Sequence, residues 1–196
     1  MKKIAFLRKE IRGCTVCNDQ LPFGPNPIFT LSEKARILIV GQAPGRRVHA
    51  SGVPWDDASG DNLRAWMGIS REVFYDSGQI GLLPMGFCYP GKAKRGSGDA
   101  PPRPECVPLW QQRAIAAMPE IALTLLVGEY AQHYHLGPAA RPQLTQTVLN
   151  FQDYLPRYFP LPHPSPRNNI WQRKNSWFAS EVIPVLQEKV MRVLGK

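Results

Sequence analysis

Long hydrophobic runs are missing from this sequence. No stretch approaches the roughly 20 consecutive apolar residues that a membrane-spanning helix needs. The apolar run near the start gives way to charge at Arg8 and Lys9, which makes it too short for a secretion signal. We therefore expect no membrane partner and a cytoplasmic location, where paired disulfides are unlikely.

Acidic residues are also scarce. The chain has 15 Asp and Glu against 24 Lys and Arg, which gives a formal charge of +9. A surplus of this size favours a polyanionic partner, because each cation placed at a phosphate releases condensed counterions. The alternative is a solvated basic surface with no such partner.

Internal repeats and low-complexity segments are absent as well, and 196 residues fit one domain. We therefore expect a single domain over residues 1–196, and a monomer. Four short apolar runs rich in branched residues predict buried strands. They are Ala35–Val40, Ile80–Met85, Leu123–Gly128 and Tyr158–Leu161.

Helical patterns separate these runs. They cover Lys3–Arg12, Asp61–Met67, Glu105–Met118 and Ser176–Leu194, with a kink or restart expected at Pro184. The alternation predicts an α/β fold, a three-layer α/β/α sandwich around a central four-stranded, mainly parallel sheet. Residues 89–108 are rich in Pro, Gly and basic side chains and are expected to form a functional or disordered loop.

Two loops at the carboxyl ends of predicted strands could carry chemistry, since ligands bind there in parallel sheets. Gly41-Gln42-Ala43-Pro44-Gly45 follows the first strand, and its glycines allow a sharp turn and close approach to a ligand. The alternative is a plain turn. Farther on, Trp55 could stack on a flat base or could be half-buried in the core.

The second loop is His163-Pro164-Ser165-Pro166, after the last predicted strand. Proline on both sides of His163 makes its backbone rigid and aims the ring, which favours a functional histidine over a structural one. The polar and apolar residues that follow suit a loop that holds phosphates and wedges into a duplex. These residues begin with Arg167 and Asn168 and end with Trp171.

The two motifs together resemble those of the uracil-DNA glycosylase superfamily. They stand in the same order, about 120 residues apart, each after a strand. The resemblance implies a four-stranded parallel sheet between helices, DNA as partner, and release of a deaminated base by hydrolysis of its N-glycosidic bond in base excision repair. The closest resemblance is to the iron–sulfur-cluster-containing bacterial and archaeal branch.

The resemblance also implies roles for individual residues. His163 would donate a hydrogen bond to the base oxygen, and Trp55 would stack on the flipped base. Gln42 would orient water. Asp56, Asp57 and Asp61 are the carboxylates nearby in sequence, and one of them could activate the water or stabilise the cation, with Asp57 as our candidate. The other substrate-binding residues would be Gly41, Ala43, Pro44, Gly45, Ser165, Arg167 and Asn168. Phosphate contacts are expected from Arg46, Arg47, Lys92, Lys94 and Arg95.

Four cysteines remain to be explained. Cys14 and Cys17 form a Cys-x-x-Cys pair, and Cys88 and Cys106 flank the basic loop. Four thiolates suit either a [4Fe–4S] cluster or zinc, and spacing alone does not separate these from unligated cysteines. The arrangement is similar to the cluster ligation of the branch named above, so we favour a structural [4Fe–4S] cluster.

Two departures from the family pattern leave alternatives open. Gln42 stands where many relatives carry a carboxylate or Asn, and glutamine cannot act as a base. The segment before Cys88, from Leu83 to Phe87, contains no Asn to read a uracil edge, so hypoxanthine or xanthine is open as the substrate. The alternative functions are a catalytically inactive nucleic-acid-binding protein with the same fold, and a redox-sensing cluster protein.

Overall fold

The computed structural model describes residues 2–96 and 98–195. The expected domain of residues 1–196 also includes Met1, Ser97 and Lys196, which lie outside the described residues. None of the helices in those two ranges has the length and apolar character that crossing a membrane would require.

Four parallel strands form one sheet in the order β2-β1-β3-β4. The strands are β1 (Ile37–Val40), β2 (Ile80–Leu82), β3 (Leu123–Val127) and β4 (Tyr158–Leu161). In the register, Ile39 of β1 lies opposite Leu82 on one side and Leu125 on the other. All three pairings are parallel, which confirms the predicted sheet.

Helices cover both faces of this sheet. The α-helices are α1 (Lys2–Arg12), α2 (Arg46–Ser51), α3 (Ala58–Met67), α4 (Arg71–Tyr75), α5 (Gln112–Ala116), α6 (Glu129–Leu136), α7 (Leu144–Leu149), α8 (Asn169–Lys174) and α9 (Ile183–Leu194). Short 3₁₀ helices span Asn18–Gln20, Gly137–Ala139, Phe151–Tyr154 and Pro166–Asn168, and π-helical turns span Val107–Gln111 and Phe178–Val182.

Alternation along the strands divides the core into two layers. Ile37 and Ile39 pack on one face with residues of α3 and α9, whereas Leu38 and Val40 pack on the other with residues of α1. Because successive side chains of a strand point to opposite faces, a sheet buried on both sides needs strands that are apolar throughout. Every residue of β1 is buried, and the chain forms the predicted α/β/α sandwich.

The strand order places a crevice beside β1. From β1 the chain passes to β2 on one side and returns to β3 on the other. The connections after β1 and β3 therefore leave in opposite directions, which opens a cleft at the carboxyl ends of the strands. Both sequence motifs lie at this end of the sheet.

Candidate active site

One pocket of about 470 Å³ opens at the carboxyl ends of the strands. The turn after β1 and the loop after β4 both line it, although about 120 residues separate them in the sequence. The size falls within the range of roughly 300–1,000 Å³ that small-ligand sites occupy. Ten of the eleven residues expected to act or bind there line it: Gly41, Gln42, Ala43, Pro44, Gly45, Trp55, Asp57, His163, Ser165 and Arg167.

The turn Gly41–Gly45 is held by the chain that follows β2. The backbone N–H of Met85 donates to the Gly41 carbonyl at 2.8 Å, and that of Gly86 donates to the Gln42 carbonyl at 2.9 Å. The Gln42 side-chain amide donates to the Ala100 carbonyl at 3.3 Å. Gln42 thus ties the turn to the long basic loop.

Trp55 forms one wall of the pocket. It has a φ of +59°, a left-handed conformation that is uncommon outside glycine and that functional sites often retain. Two glycines make room for it. A Cβ on Gly41 would lie 2.7 Å from Cζ2 of the indole, and a Cβ on Gly60 would lie 1.8 Å from the Trp55 carbonyl oxygen. The ring stands 6.1 Å from the His163 ring, at 31°.

The loop that carries His163 is fixed by side-chain amides. Asn168 donates to the His163 carbonyl at 2.7 Å, and Asn62 of α3 donates to the Pro164 carbonyl at 2.8 Å. On the opposite side, the His163 side chain lies 3.9 Å from the position of a Cβ on Gly128. Asn168 was expected to bind substrate, but it is not among the residues that line the pocket, and its amide serves the loop.

The environment of His163 favours a neutral imidazole. The backbone N–H of Ser165 donates to Nδ1 at 3.2 Å, which leaves the proton of a neutral ring on Nε2. Burial lowers the pKa of His163, and the negative charges of Asp57 and Asp99 oppose that shift without cancelling it. A neutral ring with its proton on Nε2 is a hydrogen-bond donor in a residue that lines the pocket.

Three carboxylates follow Trp55 closely, and only one lines the pocket. Asp56 pairs with Arg71 at 2.8 Å, and Asp61 pairs with Arg64. Asp57 caps α3, where its Oδ1 accepts from the Gly60 N–H at 2.9 Å. The structure therefore singles out Asp57 among the three carboxylates nearest in sequence to the aromatic ring.

Sequence reasoning missed a second carboxylate in this pocket. Asp99 lines it from the long loop, beside Lys92. The signal is an acid, Asp99, within a segment whose other charges are mostly basic, and a reading of that segment by its positive charge alone passes over it. Asn62 was missed too, since nothing in the sequence connects it with the loop of His163.

Several of the cations expected at phosphates lie at or beside this opening. Lys92 and Arg167 line the pocket itself, and Arg46 and Arg47 begin the helix that follows the glycine turn. All four side chains belong to exposed residues, as do Lys94 and Arg95.

The four cysteines meet elsewhere, around a cavity of about 20 Å³ next to Trp110. None is in a disulfide, and Cys17, Cys88 and Cys106 are buried. Burial raises the pKa of Cys88 and of Cys106 to about 11, so these thiols stay protonated unless a cation compensates for the lost hydration.

The donor set of this cavity suits a sulfur-liganded metal group. Its preformed geometry does not match a single ion, because no three His, Cys, Asp or Glu in residues 2–96 and 98–195 are arranged to hold one. A tetrahedral zinc site needs all its sulfurs about 2.3 Å from a single centre. Four thiols around one cavity are therefore the donors that such a group would use, but the described residues are not arranged to hold a metal.

Comparison with known proteins identifies the family. The model of the uracil DNA glycosylase superfamily matches residues 29–187, most of the chain. That range includes both pocket motifs and begins after Cys14 and Cys17. Among solved structures, the chain is similar to the solution NMR structure of a proposed uracil DNA glycosylase from Methanosarcina acetivorans. The identity is 16%, the match covers 83% of this chain and 98% of the other, and the TM-score is 0.43.

The assignment rests on the sequence match, which spans the strands, the glycine turn and the histidine loop together. The chain belongs to the uracil DNA glycosylase superfamily.

Proposed function

We propose that this protein is a monofunctional DNA glycosylase of base excision repair, which extrudes a deaminated base from DNA and hydrolyses its N-glycosidic bond. The observation that carries the proposal is the convergence of the glycine turn, Trp55 and His163 on one pocket. A base inside a duplex is out of reach, so an enzyme of this kind must turn the nucleotide outwards into such a pocket.

The proposed mechanism uses the geometry of the two rings. Trp55 stacks on the extruded base, and His163 donates from Nε2 to a base oxygen. As the glycosidic bond breaks, negative charge develops on the base and positive charge on the sugar. A preorganised neutral donor stabilises the departing anion without a proton having to move first. Gln42 and Asp57 hold the attacking water and face the developing sugar cation.

The remaining pocket residues are proposed to bind DNA. Gly41, Ala43, Pro44 and Gly45 present backbone to the nucleotide at close range. Ser165 and Arg167 border the space from which the base is extruded, and Asn168 supports them through its bond to the His163 carbonyl. The exposed cations around the opening are proposed to contact phosphates.

The identity of the base remains part of the proposal. Pro84 lines the pocket just before Cys88, and its side chain has no polar group with which to read a base edge. A pocket without such a partner discriminates less between bases that differ in polar groups. We therefore propose a deaminated base as substrate, with hypoxanthine and xanthine as candidates beside uracil.

A release assay tests this proposal. Single- and double-stranded oligonucleotides containing uracil, hypoxanthine or xanthine are incubated with the protein, and abasic sites are counted. We expect release of at least one base, with a rate about 10²–10³-fold lower for His163→Ala because a preorganised donor is lost. His133→Ala, at an exposed histidine of α6, is the matched control and should retain the full rate.

If no base is released from any of these substrates, the glycosylase proposal is wrong. Salt-sensitive DNA binding in that case would support the alternative of a binding protein that has the fold without the activity.

We further propose that the four cysteines hold a structural [4Fe–4S] cluster, with zinc or no metal as the alternatives. Cys14 and Cys17 would join the end of α1 to the segments that carry Cys88 and Cys106. Such a group supplies thiolate–iron bonds that link three separate segments, and no catalytic step is assigned to it.

Metal analysis of protein purified without oxygen tests the cluster. We expect iron and acid-labile sulfide in equal amounts, both lost in Cys88→Ser. Arg192→Gln, a surface change on α9, is the control and should leave them unaltered. A colourless preparation without iron, or one that contains zinc, would show this assignment to be wrong.

A further inference from the structure

Two carboxylates in the pocket each keep one oxygen free. In Asp57, Oδ1 accepts from the Gly60 N–H. In Asp99, Oδ1 accepts from the Lys92 ammonium at 3.1 Å and from the Tyr89 hydroxyl at 3.4 Å. The Oδ2 atoms of both have no hydrogen-bond partner within residues 2–96 and 98–195, although both side chains line the pocket.

These two free oxygens converge on Gly45. A Cβ at that glycine would lie 3.5 Å from Oδ2 of Asp99 and 4.0 Å from Oδ2 of Asp57. Gly45 has no side chain, so the space between the two oxygens stays open. Two acceptors that approach one point in a wet pocket can bind the same water molecule.

The position of Asp99 is set by the glycine turn itself. Gln42 donates its amide to the carbonyl of Ala100, the residue next to Asp99. The loop closes on itself through the Ala100 N–H, which donates to the Gly91 carbonyl at 2.8 Å. Glutamine cannot take a proton from water, but here it holds the segment that carries a group able to do so.

We propose that Asp99 is a second catalytic carboxylate, which binds the attacking water together with Asp57 and accepts its proton. This inference rests on the proposed glycosylase function. The water oxygen forms a bond to the sugar C1′ while the bond from C1′ to the base nitrogen breaks, and its electron pair leaves with the base. The proton passes from water to Asp99 and then to solvent. The net reaction adds one water across the glycosidic bond.

Paired carboxylates suit this reaction for a general reason. Glycoside hydrolysis proceeds through a transition state with a positive sugar, and one carboxylate can stabilise that charge while another activates water. Asp57 is fixed at the start of α3 and takes the first role. Asp99 also adds negative charge beside His163, which raises the pKa of the ring against the larger effect of burial.

The test compares Asp99→Asn with the wild type in single-turnover assays at saturating enzyme, on a substrate that the wild type cleaves. We expect the rate to fall at least about 100-fold, the usual contribution of a positioned proton acceptor. DNA affinity should stay equal or increase slightly, because a negative charge near phosphates is removed. Asp99→Ala is measured in parallel, and its single-turnover rate should fall to a similar extent.

Two controls separate catalysis from positioning. Tyr89→Phe removes one hydrogen bond to Asp99 and leaves the carboxylate in place, so its rate should stay within about fivefold of wild type. Asp153→Asn changes an aspartate that is likewise paired with one cation, Arg141, away from the pocket, and should have no effect. If Tyr89→Phe loses as much as Asp99→Asn, Asp99 serves only to position the loop.

These measurements distinguish a failure of the Asp99 inference from a failure of the glycosylase proposal. An active wild type with an equally active Asp99→Asn would overturn this inference and leave the glycosylase proposal standing. If the wild type is inactive on all of the substrates, the proposed function itself is wrong.

Discussion

At the scale of single residues, the proposed chemistry depends most on the protonation state of His163. Its Nδ1 accepts a hydrogen bond from the Ser165 N–H, and burial lowers the pKa of the ring. Protonation of Nδ1 would place its N–H against the N–H of Ser165, and the hydrogen bond between them would be lost. The fold therefore holds the ring neutral with its donor on Nε2.

This geometry predicts the pH dependence of base release. Because burial moves the pKa of His163 below its ordinary value of 6.5, the neutral ring predominates at and above pH 7. We expect the single-turnover rate to be constant from about pH 7 to 9 and to fall on the acid side, below 6.5. A rate that decreases as the pH rises through 7 would contradict a neutral donor.

The sequence predicted residues with a recognisable backbone setting and missed those without one. His163 between two prolines and the glycine turn after β1 are local patterns, so both could be found. Asp99 and Asn62 act through tertiary contacts with residues far away in the chain, and no spacing rule connects them. Asp57 lines the pocket, whereas Asp56 and Asp61 pair with arginines, and this difference depends on contacts that only the fold supplies.

At the scale of secondary structure, buried strands were the most predictable elements. The prediction of Tyr158–Leu161 matches β4, and that of Leu123–Gly128 exceeds β3 by one residue. The predicted strand Ile80–Met85 ends instead at Leu82. Beyond it the chain still bonds to the Gly41 turn through Met85, while Pro84 has no N–H to donate. A continuous apolar run shows that a segment is buried but does not show where pairing stops.

Helices were harder to predict in their detail. The predicted helix Glu105–Met118 is a π-helical turn followed by α5, and the C-terminal helix begins anew at Ile183, directly before Pro184. Several helices of five to eight residues, such as α2, α4 and α6, were not predicted. Such segments contain little more than two turns, which is too short for a 3.6-residue periodicity to stand out.

At the scale of the whole molecule, several exposed cations lie at or beside the pocket. Lys92 of the basic loop and Arg167 of the histidine loop line the opening, and Arg46 and Arg47 of α2 follow the glycine turn that borders it. An arrangement of this kind attracts a polyanion to the site before any base is recognised.

This distribution predicts a DNA affinity that depends on salt in a residue-specific way. Each phosphate contact contributes a slope of about −0.9 to the logarithm of the binding constant against that of salt for duplex DNA. Lys94→Gln should therefore make the measured slope shallower by about one unit. Arg192→Gln removes the same charge near Gly195, which approaches Arg36 at the opposite end of the sheet, and should leave the slope unchanged. Fluorescence anisotropy of a labelled duplex at several salt concentrations measures both, and equal slopes for the two variants would place the DNA elsewhere on the protein.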